Sequence, residues 1–268
     1  MGKIKKTKIG IKFFFAVFLF AGIFAALSGC GLSQVQKKDK LKSNLYYRLG
    51  AGFYQNGNYI KAMQEFIKAK ALNPYSAKNY NAIGAVYMKT GRANKALKNF
   101  GRALRLDPEF SDAYYNAAVI YIRRKDYNTA EAYLKKALKN RLYASPFKSY
   151  ARLAQIYLAE NKSAKAKKIL TVSKLLNKTY FLTYYELGEY FLAEGKLDES
   201  LYYYKKTLRL NSFFIPAKYK EGVIFFMQKK YGKAKKIFIT VYNQNKRGEY
   251  GIKSFKYLKR ILLMRSGI

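Results

Sequence analysis

Self-similarity at a fixed period constrains this chain more than any other feature. With Ser43 as the first position of a unit, equivalent positions fall at Ala77, Ser111, Phe147, Phe181 and Ile215, spaced by 34, 34, 36, 34 and 34 residues. A period in this range marks an architecture in which one supersecondary unit is copied and stacked. Each unit has two stretches with apolar residues at helical spacing, separated by a turn. An aromatic opens the first helix, helix A, at Tyr46, Tyr80, Tyr114, Tyr150 and Tyr184. A small residue follows at Gly50, Gly84, Ala118, Ala154, Gly188 and Gly222, then another aromatic at Phe53, Tyr87, Tyr121, Tyr157, Phe191 and Phe225. The second helix, helix B, carries a small residue at Ala62, Ala96, Ala130, Ala166, Ser200 and Ala234. Gly57, Gly91 and Gly195 mark the turn between helices, and Pro74 and Pro108 close two units. Small residues let the two helices approach closely, and the large aromatics fill the space beside them. One such pair cannot bury its own apolar face, so neighbours must stack.

These residues resemble the tetratricopeptide repeat, and the resemblance covers Ser43 to about Lys246. It implies an all-α fold: a right-handed superhelical solenoid of six helix-turn-helix repeats, at 43–76, 77–110, 111–146, 147–180, 181–214 and 215–248. Repeat six departs from the pattern, with Lys218 and Glu221 where an aromatic and Leu are usual, and is expected to be the loosest. Residues 249–268 read as a capping helix and tail, with Phe255, Leu258 and Leu262 on one helical face.

Composition removes several chemistries. The chain has no histidine and one cysteine, which excludes most transition-metal sites as well as Ser-His and Cys-His catalytic pairs. It contains no phosphate loop, nucleophile elbow or paired-carboxylate site. The sequence therefore reads as non-enzymatic, with no cofactor and no metal. The formal charge is +38, from 53 Lys and Arg against 15 Asp and Glu. Such a surface attracts anionic partners, although lysines scattered along repeats also simply solvate exposed helix faces.

The amino terminus reads as an address. Lysines dominate Met1 to Lys12, an apolar run follows from Phe13 to Leu27, and then comes Leu27-Ser28-Gly29-Cys30. A basic region followed by a short apolar region has the layout of a secretory signal. The last four residues resemble the lipobox of bacterial lipoproteins, and the sole cysteine of the chain stands at its obligatory position. The resemblance implies cleavage of residues 1–29, acylation of Cys30, and a lipidated polar tether over 30–42. Two or more acyl chains anchor a protein stably where one binds only marginally. Gly31 in place of Asp implies, by the enterobacterial sorting rule, transfer to the periplasmic face of the outer membrane. Secretion argues against nucleic acid as the partner.

In tetratricopeptide proteins one face of the A helices lines a partner groove. The fifth position of each unit gives Tyr47, Asn81, Tyr115, Ala151, Tyr185 and Tyr219; the twelfth gives Tyr54, Met88, Ile122, Leu158, Leu192 and Phe226. This row reads either as core or as a groove for a peptide or helix. Adjacent Arg48, Lys89, Arg123, Arg152 and Lys220 would give it a basic rim suited to an acidic segment. The Lys and Asn clamp of chaperone-tail receptors is absent from the first repeat, where Tyr47 and Ala51 stand.

A signal, a lipobox and six such units resemble the PilF/PilW family of type IV pilus biogenesis lipoproteins. The period stretches by two at Asn140-Arg141-Leu142-Tyr143-Ala144-Ser145-Pro146. That family carries a similar Asn-Pro-Leu-Tyr-x-x-Pro segment there; Arg141 replaces its proline. The resemblance implies a pilotin that binds a secretin subunit and helps the secretin reach the outer membrane and assemble. The alternative is a general envelope scaffold with the same anchor and groove, organising peptidoglycan enzymes or outer-membrane protein assembly.

Overall fold

The computed structural model describes residues 36–265. The signal, Cys30 and the first part of the tether lie outside the described residues. Thirteen helices follow one another among those described, and no strand is present. The A helices are α1 (residues 36–55), α3 (Ala77–Lys89), α5 (Ser111–Arg123), α7 (Pro146–Ala159), α9 (Phe181–Ala193) and α11 (Ile215–Met227). The B helices are α2 (Tyr59–Leu72), α4 (Ala93–Leu106), α6 (Tyr127–Lys139), α8 (Ser163–Leu176), α10 (Leu197–Leu210) and α12 (Tyr231–Gln244); α13 (Glu249–Arg265) follows. Residues 36–42, read above as tether, are helical and run directly into the first repeat. They contain neither Gly nor Pro, and Gln and Lys are good helix formers.

The chain divides after Pro108 into two compact units. In the first, Tyr47, Phe53 and Tyr54 of α1 pack against Phe66 of α2 and Ile83 and Val86 of α3. Ser43 is buried there; its Oγ donates to the Ala69 carbonyl at 2.7 Å and accepts from Asn79 Nδ2 at 3.2 Å. In the second unit each helix packs on its neighbours in sequence, and the A helices also touch one another: α5 meets α7, and α7 meets α9.

Every pair is closed by one size match. A Cβ added to Gly84 would stand 2.5 Å from the Phe100 ring, and one added to Gly188 would stand 2.5 Å from the Tyr204 ring. Gly50 and Gly222 face Phe66 and Phe238 in the same way. Where the small residue is Ala118 or Ala154, the residue sixteen positions later is Leu134 or Leu170, not an aromatic. All six helix B partners are buried. Glycine thus goes with an aromatic ring and alanine with leucine.

The turns between helices share a second constraint. Gly57, Gly91 and Gly195 have φ of 75°, 77° and 73°, and Lys125, Asn161 and Lys229 take 61°, 58° and 58° at the same place in the other repeats. This left-handed residue ends helix A, and the amide after it returns to the last turn, as when Asn58 N donates to the Phe53 carbonyl at 2.9 Å. The two lysines hold there a conformation that L-residues with a Cβ adopt at some cost.

The two odd residues of repeat six compensate each other: Lys218 Nζ lies 3.0 Å from Oε2 of the mostly buried Glu221. Beyond it, α13 packs on α12 with Tyr250, Ser254, Tyr257 and Ile261 turned inward. Phe255 and Leu262, read above as part of one apolar face with Leu258, are exposed. The face is rotated because Tyr257 stacks on Phe238, ring centroids 4.7 Å apart, and so fixes which side of the helix is buried.

Two measurements check this packing. Gly84→Ala should destabilise the protein by about 1–3 kcal/mol through overpacking, and adding Phe100→Leu should recover a large part of that loss in a double-mutant cycle by denaturant titration. Lys229→Gly should stabilise by up to about 1 kcal/mol by relieving the left-handed turn.

Candidate functional site

The A helices α5, α7 and α9 lie next to one another in the second unit, so one turn of each can contribute to a common surface. They enclose a cavity of about 620 Å³ together with the start of α11 and of α13. Its walls are Val119, Ile122 and Arg123 of α5, Arg152 and Gln155 of α7, Leu182, Tyr185 and Glu186 of α9, Phe214 and Pro216, and Glu249 and Tyr250 of α13. The size falls in the range of ordinary ligand and side-chain pockets, roughly 300–1,000 Å³.

Of the residues assigned to a groove from sequence, Ile122, Arg123, Arg152 and Tyr185 line this cavity. Others face the core. Tyr219 is buried with its ring 5.9 Å from Phe238, and Phe226 packs on Tyr257 at 4.9 Å. Tyr115 and Leu158 pack on the core formed by α5 to α9, Leu192 packs beside Tyr204 and Ile224, and Ala151 is fully buried. In the first unit Tyr47 and Tyr54 are half-buried against Phe66 and Tyr59, Asn81 and Met88 are half-buried, and Arg48 and Lys89 are exposed. Lys220 pairs with Glu189 at 2.7 Å.

The wall residues Leu182, Glu186, Gln155 and Arg123 occupy positions two, six, nine and thirteen of their units, one stripe of helix A. At 3.6 residues per turn this stripe lies about 80° around the helix from positions five and twelve. Polar residues interrupt it, which hides it from any search for an apolar row. Glu186 and Gln155 escaped sequence reasoning for that reason.

Charge in the cavity is unusual. Glu186 is 2% exposed, and its Oε1 has no hydrogen-bond partner. Burial, and then the negative charge of Glu189, push its carboxyl up to about 8, against a smaller opposite pull from Arg152 and Lys220. Burial likewise pushes the hydroxyls of Tyr180 and Tyr185 upward. Arg152 donates from Nη1 to Gln155 Oε1 at 2.8 Å, while its Nε is buried and unpartnered. Five buried side-chain polar atoms lack a partner among the described residues, and four of them, on Tyr143, Ser149, Arg152 and Glu186, fall between the third-to-fourth junction and α9. The described residues contain no cluster of metal-ligating side chains and no helix long and apolar enough to cross a membrane.

Comparison with known proteins fits this architecture. A family model described as tetratricopeptide repeat matches residues 81–148. The fold is the tetratricopeptide-repeat fold. The structure of PilF from Pseudomonas aeruginosa is similar at a TM-score of 0.63 and 19% identity, covering 81% of this chain and 97% of that one. PilW, described as a widely conserved type IV pilus biogenesis factor, is similar at 0.64 and 17%, covering 80% and 98%. A tetratricopeptide protein of Thermus thermophilus, TTC0263, is similar at 0.58 and 23%, covering 69% and 99%. No curated protein matches the chain.

The raised carboxyl makes stability depend on pH. The folded protein holds the Glu186 proton more tightly than the unfolded chain, so stability present below the ordinary value of 4.5 is lost as pH rises to about 8. Glu186→Gln should leave melting unchanged at low pH and stabilise the protein progressively as pH rises from about 4.5 to about 8, by on the order of a few kcal/mol at the upper end. Thermal melts across pH read the difference.

Proposed function

We propose that this chain is a non-enzymatic, lipid-anchored scaffold that holds a protein client against the A-helix face of its second unit and assists outer-membrane localisation and assembly of the type IV pilus secretin. The observation that carries the pilus reading is the similarity to PilF and PilW over almost their whole lengths. The lipobox-like Leu27-Ser28-Gly29-Cys30 supports the anchor, and the lengthened junction at Asn140–Pro146 supports the family. At that junction Asn140 Nδ2 donates to the Glu109 carbonyl at 2.9 Å, and its Oδ1 accepts from Leu142 N at 2.8 Å.

The mechanism is binding without bond chemistry. Acyl chains on Cys30 confine the scaffold to one membrane leaflet, and the groove holds the client there. Confinement raises the client's effective concentration, which favours assembly of a multimer. Cys30→Ala should abolish incorporation of labelled palmitate and release the protein from the outer-membrane fraction, with fewer secretin multimers in that fraction. Unchanged labelling and fractionation would contradict the anchor. Capture of peptidoglycan enzymes instead of secretin, from detergent-solubilised envelope, would contradict the pilus role and favour the general envelope scaffold.

A further inference from the structure

The outward face of α1 is apolar along its length and edged with cations. Leu41, Leu45 and Leu49 recur every fourth residue and are 64%, 56% and 46% exposed. That spacing sets them in one stripe, turned away from the buried Ser43 and Gly50. Gly52 continues the stripe, with nothing within 4 Å of where its Cβ would stand. Lys37 and Arg48 border the stripe on one side and Lys38 and Lys42 on the other, all four exposed. None of these cations is in an ion pair among the described residues. Asp39, the one acid of residues 36–55, lies on the opposite, half-buried side of the helix. Apolar residues bordered by Lys and Arg on one helix face suit the boundary between the headgroups and acyl chains of a bilayer.

We infer that this face of α1 lies on the anionic phospholipid surface of the leaflet that carries the anchor, with the leucines at the acyl boundary and the cations among the headgroup phosphates. The inference rests on the anchor at Cys30 and adds a second membrane contact beside it. Residue 36, where α1 starts, is six positions after Cys30, and a stretch of that length spans at most about 22 Å. Acylation of Cys30 therefore keeps α1 next to the bilayer. Charge argues against a second copy as the cover. Two α1 faces would set cations against cations, and the exposed face of α13 would do the same with Lys256, Lys259 and Arg260.

Both parts of the face contribute. Each Lys or Arg close to an anionic surface raises partition about fivefold, and apolar area buried at the interface adds to it. The electrostatic share weakens with salt, because ions screen charges separated by more than about 8 Å at physiological strength. A helix held flat beside the acyl chains also fixes which side of the first repeat faces the membrane.

The chain has no tryptophan, so Leu45→Trp supplies a single reporter on this face, and Lys135→Trp on exposed α6 supplies a control. Each protein is purified from the envelope and reconstituted in vesicles containing phospholipid brominated on the acyl chains, which quenches indole fluorescence on contact. The reporter at position 45 should be quenched in vesicles of phosphatidylcholine and phosphatidylglycerol, much less in phosphatidylcholine alone, and the reporter at position 135 in neither. Lys38→Gln with Lys42→Gln, added to Leu45→Trp, should lower the docked-to-undocked ratio about 25-fold, with folding confirmed by circular dichroism. The inference is overturned if position 45 stays unquenched on anionic vesicles, if phosphatidylcholine alone quenches it equally, or if position 135 is quenched as strongly. It is also overturned if the client or a second copy shields position 45 from aqueous acrylamide while brominated lipid leaves it bright. Intact mass reads acylation separately. An acylated chain unquenched at position 45 sinks this inference and leaves the anchor, whereas an unacylated chain quenched there sinks the anchor and leaves this inference.

Discussion

The structure depends on how closely helix B can approach helix A within each repeat. A ring on helix B sits directly over a residue without a side chain on helix A, as Phe100 does over Gly84 and Tyr204 over Gly188. Where helix A carries a methyl group, at Ala118 and Ala154, helix B offers a leucine. Interiors packed near crystal density leave no slack for an extra carbon, so the two positions must change together. This exchange keeps the small residue of helix A matched to its buried partner on helix B through six units of different sequence. In the second unit α7 touches both α5 and α9, and single residues from each line one cavity.

Much of this was legible in the chain. The period, the alternation of aromatic and small residues, and the glycines at 57, 91 and 195 are local signals, and local signals survive in sequence. The turn residues Lys125, Asn161 and Lys229 were less visible, because they take the same left-handed conformation without the glycine that advertises it. Packing fixed by the rest of the repeat overrides their own preference.

The cavity wall was the part that sequence alone placed imperfectly. Apolar residues recurring on helix A identify what is buried, and in a stacked repeat several sides of helix A are buried at once. Positions five and twelve, as in Tyr219 and Leu192, therefore serve largely as core. The cavity-lining stripe contains Arg152, Gln155 and Glu186, whose polarity looks like an ordinary solvated face until neighbouring helices enclose it. The same ambiguity explains α13, where Tyr257 and Ile261 face inward while Phe255 stays exposed.

Client recognition by the A-helix face of the second unit is the proposal on which the functional reading turns. Site-specific photo-crosslinking in cells tests it most directly, with the photoreactive side chain placed either at Gln155 in the cavity wall or at exposed Lys135 on α6. The account predicts a covalent adduct with the client from position 155 and none from position 135. Adducts from position 135 with none from 155 would contradict it.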